Sequence, residues 1–126
     1  MASSIQKQRH RAAVNQAHRC YYCNMPMWET NPAQFSGQHQ ISEQQVSLLQ
    51  CTGEHLHPKS EGGSNSTANI VAACKYCNQT RHKEKSPLTA PEYKRKVLSL
   101  SKKGKWHTSK ILKSAQLSKS PPGKKL

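Results

Sequence analysis

The chain has 126 residues, room for one compact domain with tails but not for two ordinary domains. Only 33% of them are hydrophobic, with one Phe and two Trp, which excludes a large self-sufficient core and calls for a metal, a partner or disulfides. Twenty Lys and Arg stand against six Glu and no Asp, a formal charge of +14 that favours a polyanion, nucleic acid first, as partner.

Residues 4–19 lack Gly and Pro and read as a polar helix, with Ile5, Val14 and Ala17 as weakly periodic apolar positions. The chain then turns into Cys20-Tyr-Tyr-Cys23, a Cys-x-x-Cys knuckle, and runs on through Met25, Pro26, Met27 and Trp28, expected to cover it. Asn31-Pro32 and Ser36-Gly37 punctuate a predicted loop. Residues 42–49 read as a short helix capped by Ser42, and 48–56 as a strand. Residues 58–68 form a polar, turn-rich loop in which Gly62-Gly63 marks a turn needing permissive dihedrals. A short returning strand at 70–73 leads into the second knuckle, Cys74-Lys-Tyr-Cys77, and a helix that ends before Ser86-Pro87. Thr89-Ala-Pro-Glu92 is a capping box that launches a further helix through Leu100, with Tyr93, Val97 and Leu100 on roughly one face. From Lys94 onward every charged side chain is basic, and most of the chain beyond Lys102 is expected to be disordered when free.

One Cys-x-x-Cys alone could be a redox pair. Two of them, Cys20/Cys23 and Cys74/Cys77, each containing a Tyr, suit one closed structural Zn²⁺ site that ties distant segments together. Disulfides would require an oxidising compartment. No signal-like apolar N-terminus and no membrane-length segment precedes the cysteines, so a cytoplasmic protein with no membrane partner is expected. Cys51 lies outside both knuckles and reads as a buried core thiol.

Between the knuckles lies a second constellation. Glu54 and His55 are adjacent on a strand and therefore project to different sides. Asn78 and His82, four apart, share a helix face. Glu54, Asn78 and His82 together offer a carboxylate oxygen, a carboxamide oxygen and an imidazole nitrogen, leaving open positions on a divalent ion. The oxygen-rich set favours Mg²⁺ or Mn²⁺, and the imidazole also admits Co²⁺, Ni²⁺ or Zn²⁺. His55 then serves as general base, since an imidazole titrates near operating pH. Lys59, Lys75, Arg81, Lys83 and Lys85 surround these positions and suit phosphate contacts that position a duplex without reading its sequence.

The run Glu54-His55-x-x-Pro58, Gly62-Gly63, Asn69-Ile-Val, Cys74-x-x-Cys77-Asn78 and His82 resembles the HNH endonucleases of the four-cysteine zinc type, over roughly residues 20–85. The resemblance implies a small α+β, zinc-stabilised ββα-metal domain with flanking helices and a basic C-terminal tail. It implies Glu54 as an ion ligand, His55 as the general base, Asn69 as the residue holding loop and base in place, and Asn78 and His82 as the last ligands. Glu54 stands where Asp or His is more usual, and Asn78 where His often follows the last cysteine.

The expected organisation is an N-terminal helix (1–19), a zinc-stabilised nuclease core (20–86), an accessory helix (87–102) and a basic flexible tail (103–126). The expected function is divalent-metal-dependent hydrolysis of phosphodiesters in double-stranded DNA. The competing readings are a non-catalytic zinc-containing nucleic-acid-binding module and a ribosome-associated basic protein. A single ββα unit addresses one strand, so oligomeric state stays open, and cutting both strands needs a transient dimer or two sequential events.

Overall fold

The computed structural model describes residues 4–107. Among the described residues, five helices and one two-stranded sheet follow one another in chain order: α1 (Ser4–Asn15), α2 (Pro32–His39), α3 (Glu43–Val46), β1 (Cys51–His55), β2 (Ile70–Cys74), α4 (Lys75–His82) and α5 (Ala90–Lys102). A 3-10 turn over Ser47–Leu49 extends α3 towards β1. Two more, Lys59–Glu61 and Thr67–Asn69, lie in the loop between the strands. The result is a small α+β domain in which β1, β2 and α4 form a ββα unit flanked by helices.

The strands pair antiparallel, with Cys51 opposite Cys74, Glu54 opposite Val71 and His55 opposite Ile70. Strand alternation buries Glu54 and leaves His55 half-buried. α1 crosses the sheet closely: a Cβ on Gly53 would lie 3.3 Å from the Ile5 side chain. Gln16, just past α1, satisfies an open edge of β2, accepting from Ala72 N at 2.9 Å and donating to Ala72 O at 2.8 Å. The buried core joins Tyr22, Leu49, Ala72, Ala73, Tyr93 and Val97 to the knuckle cysteines, so the cysteine cluster is part of the core. Cys51 is buried in the same core.

The Thr89 capping box forms, with Thr89 accepting from Glu92 N and Glu92 accepting from the Thr89 backbone. Ser42 caps α3 through Gln45 N. Two local expectations change. The predicted loop at 31–39 is the helix α2, because Asn31 caps it and Pro32 takes the first helical position rather than a turn. α1 ends at Asn15, and Ala17 and His18 take left-handed conformations that turn the chain into the first knuckle. No described helix is long and apolar enough to cross a membrane.

Candidate functional site

Cys20, Cys23, Cys74 and Cys77 are all buried, and their sulfurs lie within 4.8 Å of one another. Cys23 Sγ and Cys74 Sγ are 3.9 Å apart, close to the roughly 3.8 Å that two sulfurs span on a tetrahedral ion with bonds of about 2.3 Å. The cluster therefore fits zinc. Backbone donors aim at the sulfurs: Cys74 N and Tyr22 N donate to Cys20 Sγ, and Cys77 N to Cys74 Sγ. Burial pushes the Cys74 and Cys77 thiols well above their ordinary value. At Cys20 burial acts in the same direction, but hydrogen bonds from the other three thiols outweigh it and hold the group well below that value. Loading four thiolates must displace the remaining protons, so zinc uptake releases protons and weakens as pH falls. Among the described residues no other group of three or more His, Cys, Asp or Glu side chains meets in this way.

Trp106 and His107 follow the turn after α5. The structure sets both against the cysteine cluster. Trp106 is buried and its Nε1 donates to Cys77 Sγ at 3.2 Å. His107 Nε2 lies 3.5 Å from Cys23 Sγ, and burial pushes this imidazole down to about 4, which keeps it neutral. Residues 103–107, expected in the tail, thus belong to the compact unit, and the rest of that tail lies outside the described residues. The signal in the sequence is a Trp-His pair within a lysine-rich stretch.

The second cluster sits where β1 meets α4. Glu54 is 2% exposed, and its two oxygens have different partners. Oε1 lies 2.9 Å from His82 Nε2. Oε2 accepts from Tyr22 Oη and Arg81 Nη1, each at 2.9 Å. Burial, together with the charge of Glu54, raises the Tyr22 phenol above its ordinary range and keeps it a donor. The Oε1–Nε2 spacing is that of a hydrogen bond or ion pair, and equally that of two neighbouring donors on an octahedral ion with bonds of about 2.1 Å.

Asn78 does not join them. Its amide donates to Thr52 Oγ1 at 3.0 Å and Gly53 O at 3.4 Å, and it lines an open cleft beneath α1 with Lys75 and Arg9. The i, i+4 spacing on α4 matches the two-residue step on β1, so Asn78 is tied to Thr52 where His82 meets Glu54. Of the three residues expected as ligands, Glu54 and His82 come together and Asn78 stands apart from them.

His55 Nε2 lies 2.7 Å from Asn65 Oδ1. A carboxamide oxygen only accepts, so Nε2 carries the proton and Nδ1 is left as the basic atom. Asn65 is not anticipated by the sequence, being one polar residue among many in a turn-rich loop. Asn69 closes that loop: its Oδ1 accepts from His57 N at 2.8 Å, and its Nδ2 donates to His57 O at 3.1 Å and Ser64 O at 2.7 Å. Gly63 lies against the strand exit, where a Cβ would overlap the carbonyl oxygen of His57. The His57 side chain is exposed and approaches Glu61 at 4.0 Å.

The basic side chains expected to contact phosphate divide. Lys59, Lys83 and Lys85 are exposed, and Lys75 is half-buried in the cleft. Arg81 is 2% exposed and cannot reach a phosphate; besides Glu54 and Tyr22 it donates to the carbonyls of His55, Leu56 and Leu88. The sequence pattern does not separate it from its lysine neighbours, but its partner is the one buried carboxylate opposite α4.

Neither the curated proteins nor the solved structures include a match to this chain. A family model described as HNH endonuclease matches residues 20–84, just over half of the chain, and takes in both knuckles, both strands and α4. With that match spanning the cysteine cluster and the Glu54–His82 pair alike, the chain belongs to the HNH endonuclease family.

Proposed function

We propose that the protein is an endonuclease that hydrolyses phosphodiester bonds of double-stranded DNA with a divalent ion, Mg²⁺ or Mn²⁺ first among those its ligands admit. The observation that carries this reading is the convergence of Glu54 Oε1 and His82 Nε2 at 2.9 Å, next in the chain to a histidine whose tautomer is set by Asn65. When bound, the ion supplies Lewis-acid stabilisation of charge on the phosphoryl and leaving oxygens. Glu54 and His82 hold it. His55 Nδ1 takes a proton from the water that attacks phosphorus, and the bond from phosphorus to the leaving sugar oxygen breaks. Asn69 keeps the loop that carries Asn65 closed on the end of β1. Exposed Lys59, Lys83 and Lys85 contact phosphates on the duplex backbone. Four-thiolate zinc suits a reducing cytoplasm as the setting.

A second reading, a zinc-containing nucleic-acid-binding module without activity, draws on the same contacts: Glu54 already has Arg81, Tyr22 and His82 as partners. Incubating purified protein with plasmid and Mg²⁺, Mn²⁺ or Ni²⁺, beside an EDTA control, separates the two. The nuclease cuts in a metal-dependent manner. The binding module shifts the plasmid and leaves it intact.

A further inference from the structure

We propose that Arg81 and Tyr22 are positioning residues that reserve Glu54 Oε2 for the protein and present Oε1 alone to the divalent ion, so that the site discriminates against Ca²⁺. The inference rests on the reading of Glu54 and His82 as ion ligands.

A carboxylate oxygen has two lone-pair directions. Tyr22 Oη and Arg81 Nη1, each 2.9 Å from Oε2, occupy both, and Glu54 is too deeply buried for water to replace either donor. Neither donor is free to swing away. Arg81 is anchored at Nη2 by Leu56 O, at Nε by Leu88 O and at Nη1 by His55 O, all between 3.1 and 3.2 Å. Tyr22 is fixed at both ends of its short segment because it lies between Cys20 and Cys23. Its ring also meets those of Tyr93 and Tyr21 edge-on at 4.8 and 5.2 Å.

Glu54 serves partners on both sides of the site. Its carboxylate spans from His82 on the open side to Arg81 in the core, with one oxygen for each. The consequence is chemical. Ca²⁺ takes six to eight oxygens and commonly binds a carboxylate through both, whereas Mg²⁺ accepts one carboxylate oxygen and retains several waters. Mn²⁺ is likewise served by one carboxylate oxygen, and it tolerates the imidazole of His82 better than Ca²⁺ does. The fixed positive charge of Arg81 also lowers the charge that the carboxylate offers, which favours an ion that exchanges.

The test is calorimetric titration of Mn²⁺ and of Ca²⁺ into the zinc-loaded full chain, as wild type, Tyr22→Phe and Arg81→Met. Wild type should prefer Mn²⁺. Freeing Oε2 in Arg81→Met should lower the ratio of Ca²⁺ to Mn²⁺ dissociation constants roughly tenfold, and Tyr22→Phe should lower it about threefold. Tyr22→Phe keeps the ring packing, so it carries the test if Arg81→Met does not fold. A merely structural role would weaken both ions together. An unchanged ratio in folded Tyr22→Phe, with Mn²⁺ binding still abolished in His82→Ala, overturns the proposal and leaves the ligand reading standing. Wild-type protein that binds no Mn²⁺ overturns the ligand reading and the proposal with it.

Discussion

His55 Nε2 and Asn65 Oδ1 lie 2.7 Å apart, linking the end of β1 to the middle of the loop that follows it. This contact decides which ring nitrogen is basic. Asn65→Ala should lower single-turnover plasmid cleavage roughly 10–100-fold, the usual cost of losing a partner that orients a functional imidazole, while Mn²⁺ affinity stays within error. Cleavage at the wild-type rate would show that Asn65 does not set the tautomer.

Asn69 acts one step further back, through three hydrogen bonds to His57 and Ser64. Asn69→Ala should destabilise the loop by up to about 3 kcal/mol, since each of these three bonds is worth about 1 kcal/mol net. Faster amide exchange at His57, with zinc content unchanged, is the measurement. Activity should fall as well, because small displacements of catalytic groups are expensive.

Much of this arrangement is legible in the sequence, and the reasons differ by element. The two knuckles, the Ser42 and Thr89 caps and the strand–loop–strand order follow from local rules that depend on residues a few positions apart. The pairing of Glu54 with His82 is legible because a strand period and a helix period both point there. Arg81 is not, because burial of a guanidinium depends on Tyr22 and Glu54, distant in sequence by 59 and 27 positions. Asn78 escapes for a related reason: helix spacing places it on the face of His82, but only the register of β1 tells that Thr52 stands opposite it. His107 and Trp106 reach the cysteine cluster through the turn after α5, where Gly104 has a positive φ of 70°, and no periodic pattern announces such a return.

Burial, aided by the charge of Glu29, pushes the Cys51 thiol up to about 12 from its ordinary 9.0. A thiol raised on folding stabilises the fold while neutral, so its contribution is complete below pH about 9 and is lost as pH rises towards 12. The stability difference between wild type and Cys51→Ala, from denaturant titrations, should therefore shrink across that interval. In native zinc-loaded protein at pH of about 8, Cys51 should resist alkylation, since a buried neutral thiol is inert. Rapid labelling there would contradict its buried, neutral state.

The basic C-terminal segment divides at residue 108 into two separable effects. Deletion from Thr108 onward removes Lys110, Lys113, Lys119, Lys124 and Lys125. It should flatten the salt dependence of DNA binding by about 0.9 in log–log slope for each phosphate that these lysines neutralise. Zinc release to a chelator should be unchanged. Deletion from Lys103 onward also removes Trp106 and His107 from the cysteine cluster and should speed that release. Equal release rates in the two truncations would show that Trp106 and His107 do not protect the metal.

In the proposed division of labour, Glu54 and His82 hold the ion and His55 moves the proton. Plasmid cleavage by His55→Ala, paired with Mn²⁺ calorimetry on the same preparation, tests it most directly. Cleavage should be abolished while Mn²⁺ binds nearly as in wild type, whereas Glu54→Ala and His82→Ala should lose affinity and be partly rescued by excess ion. A folded His55→Ala protein that cuts at the wild-type rate would contradict it.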